Sequence, residues 1–364
     1  MRFGNMVNSL IMPAMIKSIS NNANQHETKI SIVLPVYNQA LNISTVISKV
    51  FESMQSQYEL IIIDDGSRDT TLHELLKIDP SFVRFPNLKS FTIFQNKFSR
   101  FETFCDAFGM DNSSGEYFLE IQADMFINDP GFDLRLIEAF EADRNIVAIS
   151  GRGVENLEPI IIDYKQVLGT DRARTPNFKR YFVERFIYQA KRLLKKIIKF
   201  DNSKHLVSGN LESNQYFVEK EDKEFLASGL AGRLGQFVDF KTDHTSFSRK
   251  LYVGQTIMRG PILFNREKYF ELGGLDSLRF FQGFDDHDFC ARALLLGYKV
   301  AYTPVDYESP LDMGSTRRSR TFMTELLIAF YTLRIRKVRH SSALSGQAIK
   351  DLIHDHDFSE IKHF

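Results

Sequence analysis

Short apolar runs alternate with longer segments of helical spacing between residues 30 and 150, and this alternation is the strongest constraint on the fold. Residues 30–36 and 58–63 are apolar, β-branched runs of strand length, so each predicts a buried strand. Residues 41–54 lie between them and carry apolar side chains at spacings of three and four, which predict an amphipathic helix. Alternating strands and helices indicate βαβ units on a mostly parallel sheet, so the sequence predicts an α/β fold.

The same pattern continues along the chain. It predicts strands at 90–95, 117–122, 145–150 and 298–302, and helices after Asp69, at 101–110, at 133–142 and from Asp285. The stretch from 155 to 250 breaks this rhythm, and it contains a basic amphipathic helix at 177–200. A helical insertion is therefore expected between two parts of the α/β fold.

Polar side chains follow three of the predicted strands where each strand ends. These are Tyr37 and Asn38, the run 64–67 (Asp-Asp-Gly-Ser), and Asp124. In parallel α/β sheets, ligands bind outside the carboxyl ends of the strands. The sequence therefore predicts a ligand site at this edge.

Composition narrows the class of partner and the compartment. Lys plus Arg equals Asp plus Glu at 46 each, so nucleic acid is not an expected partner. The two cysteines, Cys105 and Cys290, have no metal-site spacing, which favours a reduced, cytosolic chain. The only apolar stretch near the N-terminus, 10–16, is interrupted by Pro13, and neither a signal peptide nor a membrane-spanning run of about 18–20 residues is expected.

Five motifs occur in one order, each at an element boundary. They are Val-Leu-Pro-Val-Tyr-Asn at 33–38, Ile-Ile-Ile-Asp-Asp-Gly-Ser-Arg-Asp at 61–69, Gly-Glu-Tyr-Phe-Leu-Glu-Ile-Gln-Ala-Asp at 115–124, Gly-Gly-Leu-Asp at 273–276 and Asp-Asp-His-Asp-Phe-Cys-Ala-Arg at 285–292. Together they resemble family 2 nucleotide-sugar glycosyltransferases, of the kind found in bacterial surface-polysaccharide synthesis. The resemblance covers about 30–150 and 255–305. It implies a GT-A fold, with a Rossmann-like, mostly parallel sheet flanked by helices.

The pattern and the resemblance together divide the chain into five expected parts. They are an N-terminal lead-in (1–29), a nucleotide-sugar-binding part (30–154), a helical insertion (155–250), an acceptor-binding and catalytic part (251–318) and a C-terminal helical tail (319–364).

The resemblance implies a base and ribose pocket at the first two motifs. It assigns Pro35, Tyr37 and Asn38 to this pocket, where Tyr37 can stack on the base. Asp65 would accept a hydrogen bond from a ring N–H, which suits uracil. The alternative for Asp64 and Asp65 is turn and helix-cap chemistry at the Gly-Ser pair that follows them.

Gln122, Ala123 and Asp124 occupy the DxD position of the resemblance. Its second acid contacts a divalent metal, Mn²⁺ or Mg²⁺, and here that acid is Asp124. The first acid is replaced by Gln122, which can bind a ribose hydroxyl but supplies no charge. The alternative for Asp124 is a strand-end cap.

Two adjacent carboxylates stand where the resemblance has Glu-Asp. It places Asp286 on the catalytic general base that takes the proton of the acceptor hydroxyl. Asp285 would touch the acceptor or orient Asp286. The alternative is that acids are favoured here by the helix dipole alone.

The residues expected to bind the diphosphate differ from those that the resemblance implies. An Arg-Asn pair is expected three residues before Gly109, and the chain has Asp106 and Ala107 instead. Lys97 or Arg100 can substitute. Arg317, in the basic loop 314–318, can close over the diphosphate, and a solvated loop is the alternative. His287 and His340 are the further metal-ligand candidates.

Basic amphipathic helices are predicted at 177–200 and 319–337. Two interpretations stay open for them. They contact an anionic membrane surface or a lipid-linked acceptor, or they pack on the domain with their charges in water. The first places the chain on the inner face of the membrane, and the second leaves it in the cytoplasm.

The resulting expectation is an inverting glycosyltransferase. It moves a sugar from a nucleotide donor, UDP-linked, to a hydroxyl of a glycan or lipid-linked glycan. A catalytically inactive relative that binds glycans is the first alternative, and Gln122 is its only support. A nucleotidyltransferase is the second, and residues 34–38 lack the Gly-rich phosphate loop expected of one.

Overall fold

The computed structural model of the chain describes residues 12–21, 27–81, 84–151, 154–155, 250–254, 256–257, 259–277, 285–303, 305–309 and 361–363. The predicted helices at 177–200 and 319–337 lie outside the described residues. So do the loop 314–318 with Arg317, and His340.

The described strands follow the chain from β1 to β14. They are β1 (Ala14–Ser20), β2 (Ile30–Val36), β3 (Tyr58–Asp64), β4 (Leu88–Gln95), β5 (Tyr117–Glu120), β6 (Phe126–Ile127), β7 (Ile146–Ser150), β8 (Val154–Glu155), β9 (Lys250–Gly254), β10 (Thr256–Ile257), β11 (Ile262–Asn265), β12 (Lys299–Tyr302), β13 (Tyr307–Glu308) and β14 (Ile361–His363). The helices are α1 (Ile43–Ser53), α2 (Thr71–Lys77), α3 (Glu102–Asp111), α4 (Phe132–Ala142), α5 (Arg266–Glu271) and α6 (Asp285–Leu295).

Ten of these strands form one sheet in the order β1-β4-β3-β2-β5-β11-β7-β12-β9-β14. The strands β4, β3, β2 and β5 are parallel to one another, and β7 and β12 are parallel to each other. Strand β11 runs antiparallel between β5 and β7. The predicted α/β fold with a mostly parallel central sheet is confirmed.

Both faces of the central sheet are buried, as the continuous apolar runs predict. Along β2, Ile32 and Leu34 pack on the face covered by α1 and α4, whereas Val33 packs on the face covered by α3 and α6. All three side chains are 0% exposed. The two helical layers therefore hold the strand ends rigidly in place.

Helix α3 approaches β2 so closely that only glycine fits at one position. A Cβ added at Gly109 would lie 2.5 Å from Cγ1 of Val33. Atoms do not pack at that distance, so the glycine sets the spacing between helix and sheet. This contact holds the C-terminal half of α3 against β2, and acidic side chains of the same helix enter the site described below.

Strand β1 was not predicted from the sequence. Strand β1 lies within the predicted lead-in and forms the antiparallel edge beside β4. Its side chains are mostly exposed, so it lacks the apolar pattern of the central strands. Within the described residues, none of the helices combines the length and the apolar character needed to cross a bilayer.

Candidate active site

The carboxyl ends of the parallel strands meet at one edge of the sheet, together with two further chain segments. Strands β2, β3, β4 and β5 all end there. Since β11 is antiparallel to β5, its start lies at the same edge, and Arg259 comes just before it. Helix α6 precedes β12, and the side chain of its first residue contacts Arg259. The predicted edge site is therefore built from both halves of the chain.

The turn after β2 is bonded to the turn after β3. The backbone N–H of Asn38 donates to Oγ of Ser67 at 2.9 Å, and Oδ1 of Asn38 accepts from the backbone N–H of Arg68 at 2.8 Å. Asn38 has a φ of 52°, in the left-handed region that asparagine tolerates. Pro35 is buried within β2, and Tyr37 and Asn38 are half-buried beyond it.

Asp64 has the turn role that was its alternative interpretation. Its Oδ1 accepts from the backbone N–H of Ser67 at 3.1 Å, and its Oδ2 accepts from Nε2 of Gln95 at 3.1 Å. The side chain is 0% exposed, and burial raises its pKa. Asp64 therefore holds the β3 turn and does not face a ligand.

Asp65 binds the loop that follows β4. Its two carboxylate oxygens accept four hydrogen bonds, at 2.6–2.9 Å. The donors are the side chains of Asn96 and Ser99 and the backbone N–H groups of Arg100 and Phe101. A carboxylate offers about four acceptor positions, so this loop uses all of them. Reading a base N–H would require the loop to release one of these bonds.

Phe101 is held in a backbone conformation that normally needs glycine. Its φ is 69° and its ψ is 165°. Such a conformation costs about 1–3 kcal/mol for a residue with a side chain, and it persists only where the surroundings enforce it. The bond from its N–H to Asp65 is one such constraint. Phe101 directly precedes α3, so Asp65 also sets where that helix begins.

The predicted DxD segment forms a turn just after β5. The backbone N–H of Met125 donates to the carbonyl of Gln122, and Ala123 and Asp124 are each 7% exposed. Nε2 of Gln122 donates to Oε1 of Glu102 at 2.7 Å. The carboxylate of Asp124 and the amide oxygen of Gln122 are hard oxygen donors, so the chemistry of this turn fits a divalent cation such as Mg²⁺ or Mn²⁺.

A buried guanidinium, Arg259, is surrounded by carboxylates from three elements. Its Nη1 lies 3.0 Å from Glu102 and 2.7 Å from Asp106 on α3, and 3.2 Å from Glu120 on β5. Its Nη2 donates to Oδ2 of Asp285 at the start of α6. The Arg259 side chain is 11% exposed, and Glu102 is the most exposed of the four acids at 38%. We call these five residues the Arg259 network.

The Arg259 network holds more acid than base, so it binds protons. Burial raises the pKa of Asp106 to about 8 and that of Asp285 to about 6, although the guanidinium opposes both shifts. Burial also holds the pKa of Glu120 well above its usual range. Asp106 therefore holds its proton more tightly than an exposed aspartate does, and Asp285 is paired with Arg259.

These shifts predict a pH-dependent stability. The pKa of Asp106 is about 8 in the folded chain and about 3.9, its ordinary value, in the unfolded chain. The stability that this bound proton contributes is therefore lost as the pH rises through about 8. One such group changes the free energy of unfolding by up to about 1.4 kcal/mol per pH unit. Asp106→Asn mimics the protonated form, so between pH 6 and 9 its Tm should fall less than that of the wild type. Equally steep curves in calorimetry would contradict the protonation of Asp106.

Three acids of the network are close enough to hold a cation. One carboxylate oxygen from each of Glu102, Asp106 and Glu120 lies within 4.8 Å of the others. The guanidinium of Arg259 already contacts all three. We therefore assign this group to Arg259, and Asp124 remains the candidate metal ligand.

The first turn of α6 carries the two predicted carboxylates in different surroundings. Asp285 is 0% exposed and paired with Arg259. Of its two predicted roles, orienting Asp286 therefore suits it better than contacting an acceptor. Asp286 is only partly buried. Nδ1 of His287, the next residue, lies 2.7 Å from Oγ1 of Thr256, which anchors the helix on its other side.

Sequence patterns did not identify Arg259, Glu102 or Glu120 as site residues. A signal was present, because Glu120 interrupts an apolar strand and Asp106 lies on the apolar face of α3. Charged residues at such positions are rarely fully buried unless paired. Asp106 also stands where the resemblance expects arginine, and the structure brings the guanidinium of Arg259 to it from another segment.

Residues 31–205 match the family model Glycosyl transferase family 2. A curated relative, undecaprenyl-phosphate 4-deoxy-4-formamido-L-arabinose transferase of Shewanella sediminis (strain HAW-EB3), is 43% identical over 51 residues. That match covers 13% of this chain and 15% of the relative.

Solved glycosyltransferase structures are also similar. TarS 1–349 of S. aureus has 11% identity and a TM-score of 0.43, over 90% of this chain and 69% of that one. Mannosyltransferase PcManGT from Pyrobaculum calidifontis, in complex with GDP-Man and Mn²⁺, has 13% identity and a TM-score of 0.44, over 91% and 79%.

The segment matched by the family model contains most of the turns and loops described at this edge of the sheet. It includes the turns after β2 and β3, the loop held by Asp65, and the turn of Asp124. In sequence, residues 31–205 of this chain are similar to the glycosyltransferases of family 2.

Proposed function

We propose that the chain transfers a sugar from a nucleotide-diphosphate sugar, a UDP-sugar, to a hydroxyl of a glycan or lipid-linked glycan, with inversion at the anomeric carbon. One observation carries the proposal. The carboxylate start of α6 is tied by Arg259 to the same edge that holds the DxD-like turn of the segment similar to family 2. A general base and a diphosphate site at one edge suit a single displacement.

In this proposal Asp286 is the general base. The acceptor hydroxyl loses its proton as its oxygen forms a bond to the anomeric carbon, and the bond to the diphosphate oxygen breaks with its electron pair. Attack from the face opposite the leaving group inverts the anomeric carbon.

The donor half of the proposal rests on four side chains. Tyr37 and Asn38 border the base and ribose, and Gln122 binds a ribose hydroxyl. Asp124 would hold Mn²⁺ or Mg²⁺, which offsets the charge of the diphosphate when it is bound. Among positive groups, Arg317, Lys97 and Arg100 are the candidates for the phosphates.

Two observations support the acceptor half of the proposal. The curated relative is named for undecaprenyl phosphate, which favours including lipid-linked acceptors in any screen. The basic patterns at 177–200 and 319–337 suit an anionic membrane surface, so we include peripheral attachment to the inner face of the membrane in the proposal.

Turnover of nucleotide sugars tests the proposal directly. The full chain is incubated with UDP-, GDP- and CDP-sugars and Mn²⁺, with glycan and lipid-phosphate acceptors, and release of the nucleoside diphosphate is measured. Release that depends on one donor and increases with an acceptor supports the proposal. Tight nucleotide binding without release would indicate instead a glycan-binding relative without catalysis.

Donor choice gives a separate prediction for Asp65. If its carboxylate accepts the uracil ring N–H, CDP should bind more weakly than UDP, because the cytosine N3 acceptor would face the carboxylate. Two buried acceptors facing each other cost about 1–3 kcal/mol, which is a factor of about 5–150 in Kd. Titration calorimetry with both nucleotides measures the ratio. A ratio near one would show that Asp65 serves only the loop after β4.

A further inference from the structure

We propose that Arg259 is a positioning residue of the transferase, one that fixes the carboxylate end of α6 against the donor side of the site. This inference rests on the proposed function. It adds a residue that lies outside the segment matched to the family model. Arg259 reaches the start of α6 through Asp285, and it reaches the DxD-like turn through Glu102 and Gln122.

On the acceptor side, the proposed base is flanked by two anchored residues. Asp285 precedes Asp286 and is held by Arg259, and His287 follows it and is held by Thr256. The Asp285 carboxylate is 0% exposed, so its ion pair is shielded from water and salt. The backbone of Asp286 therefore has little freedom, and its carboxylate is presented from a fixed helix start.

On the donor side, the same guanidinium holds a side chain that contacts the DxD-like turn. Oε1 of Glu102 lies 3.0 Å from Nη1 of Arg259 and 2.7 Å from Nε2 of Gln122. Glu102 is also the first residue of α3, directly after the constrained Phe101. A chain of direct contacts thus links the loop organised by Asp65 to the start of α6.

The fork of an arginine suits this position better than a lysine. Two terminal nitrogens of one planar group reach carboxylates on α3, β5 and α6 at once. A lysine ammonium is a single point charge on a flexible stem, so it cannot hold the same set of acids at fixed angles. Arg259→Lys is therefore the variant that keeps the charge and loses the positioning.

The test compares wild type, Arg259→Lys and Arg259→Gln with a matched control. Arg135→Gln removes another mostly buried arginine, whose Nη1 and Nη2 lie 3.0 and 2.5 Å from the Asp129 carboxylate. Arg135 lies on α4, outside the site. The measurements are Tm, kcat and KM with the donor that the wild type uses, UDP affinity with Mn²⁺, and the pH profile of kcat.

We expect both Arg259 variants to lower kcat by about 10–100-fold, since a misplacement of about 1 Å in a catalytic group costs on this order. UDP affinity should change much less than kcat. The acid limb of the pH profile should move to higher pH in Arg259→Gln, because Asp285 loses the positive charge that opposes its protonation. Arg135→Gln should lower Tm and leave kcat and the pH profile unchanged.

A double-mutant cycle separates positioning from a general loss of packing. If Arg259 acts through Asp285, Arg259→Lys and Asp285→Asn should not add in kcat when they are combined. Additive effects would overturn this inference and leave the proposed function untouched. A folded Arg259→Lys variant with wild-type kcat and pH profile would do the same. A wild type that turns over no nucleotide sugar would overturn the proposed function, and this inference with it.

Discussion

Asp286→Asn is expected to lower kcat by about 10²–10⁴-fold while UDP affinity in the presence of Mn²⁺ stays within experimental error of wild type. The substitution keeps the shape of the side chain and removes only its ability to take a proton. Asp286 lies at the start of α6 and not in the donor turns, so nucleotide binding does not depend on its charge. Steady-state kinetics and titration calorimetry on the same samples measure both quantities.

The same helix turn supplies a matched control. Asp288 is two residues further on, and its Oδ2 lies 3.0 Å from Nε of Arg292, in an ion pair within the helix. Asp288→Asn therefore removes an acid from the same helix end without touching the proposed base. It should leave kcat within about threefold of wild type, given the typical worth of such a pair. Near-normal turnover in Asp286→Asn would mean that another group takes the proton.

The elements of the first half of the sheet could be predicted because local sequence and tertiary burial agree there. Strand β2 has the predicted bounds, and β3 extends one residue beyond them, to Asp64. These strands are buried on both faces, so their apolar runs are continuous and unmistakable. The strand ends then follow, and with them the positions of Asn38, Asp65 and Asp124 on one edge.

Strands β1 and β11 could not be predicted from local sequence. Strand β1 is an exposed edge that is recruited by backbone pairing with β4, which leaves no apolar alternation to detect. Strand β11 has only four residues and inserts between β5 and β7 from a segment more than a hundred residues later. Strand order of this kind is decided by long-range pairing, and no local pattern encodes it.

The Arg259 network could not be predicted for the same reason. Glu102 and Asp285 have an ordinary local explanation as helix starts, and the buried charges of Asp106 and Glu120 indicate a partner without identifying it. Only the position of β11 brings Arg259 to them, and that position is a property of the whole sheet. The sequence therefore predicts the turns after β2, β3 and β5. The contacts by which Arg259 joins these turns to α6 are visible only in the structure.

The other large effect is expected for Asp124, the remaining acid of the DxD-like turn. Asp124→Asn should weaken the Mn²⁺-dependent part of UDP binding by at least 10–100-fold, since losing even an outer partner of a metal ligand costs that much. Transfer should fall below detection, because the charge of the diphosphate leaving group is then poorly offset. Neutral Gln122 cannot replace the lost carboxylate.

Binding measured after the metal is removed is the control for this prediction. With EDTA present, wild type and Asp124→Asn should bind UDP with the same affinity, because only the metal-dependent part of binding uses the carboxylate. Equal Tm values without nucleotide would show that the turn after β5 is intact. If the variant kept the full Mn²⁺-dependent gain in affinity, the metal would be held elsewhere. Glu102, Asp106 and Glu120 would then be the next acids to examine, since their oxygens are close enough together to hold a cation.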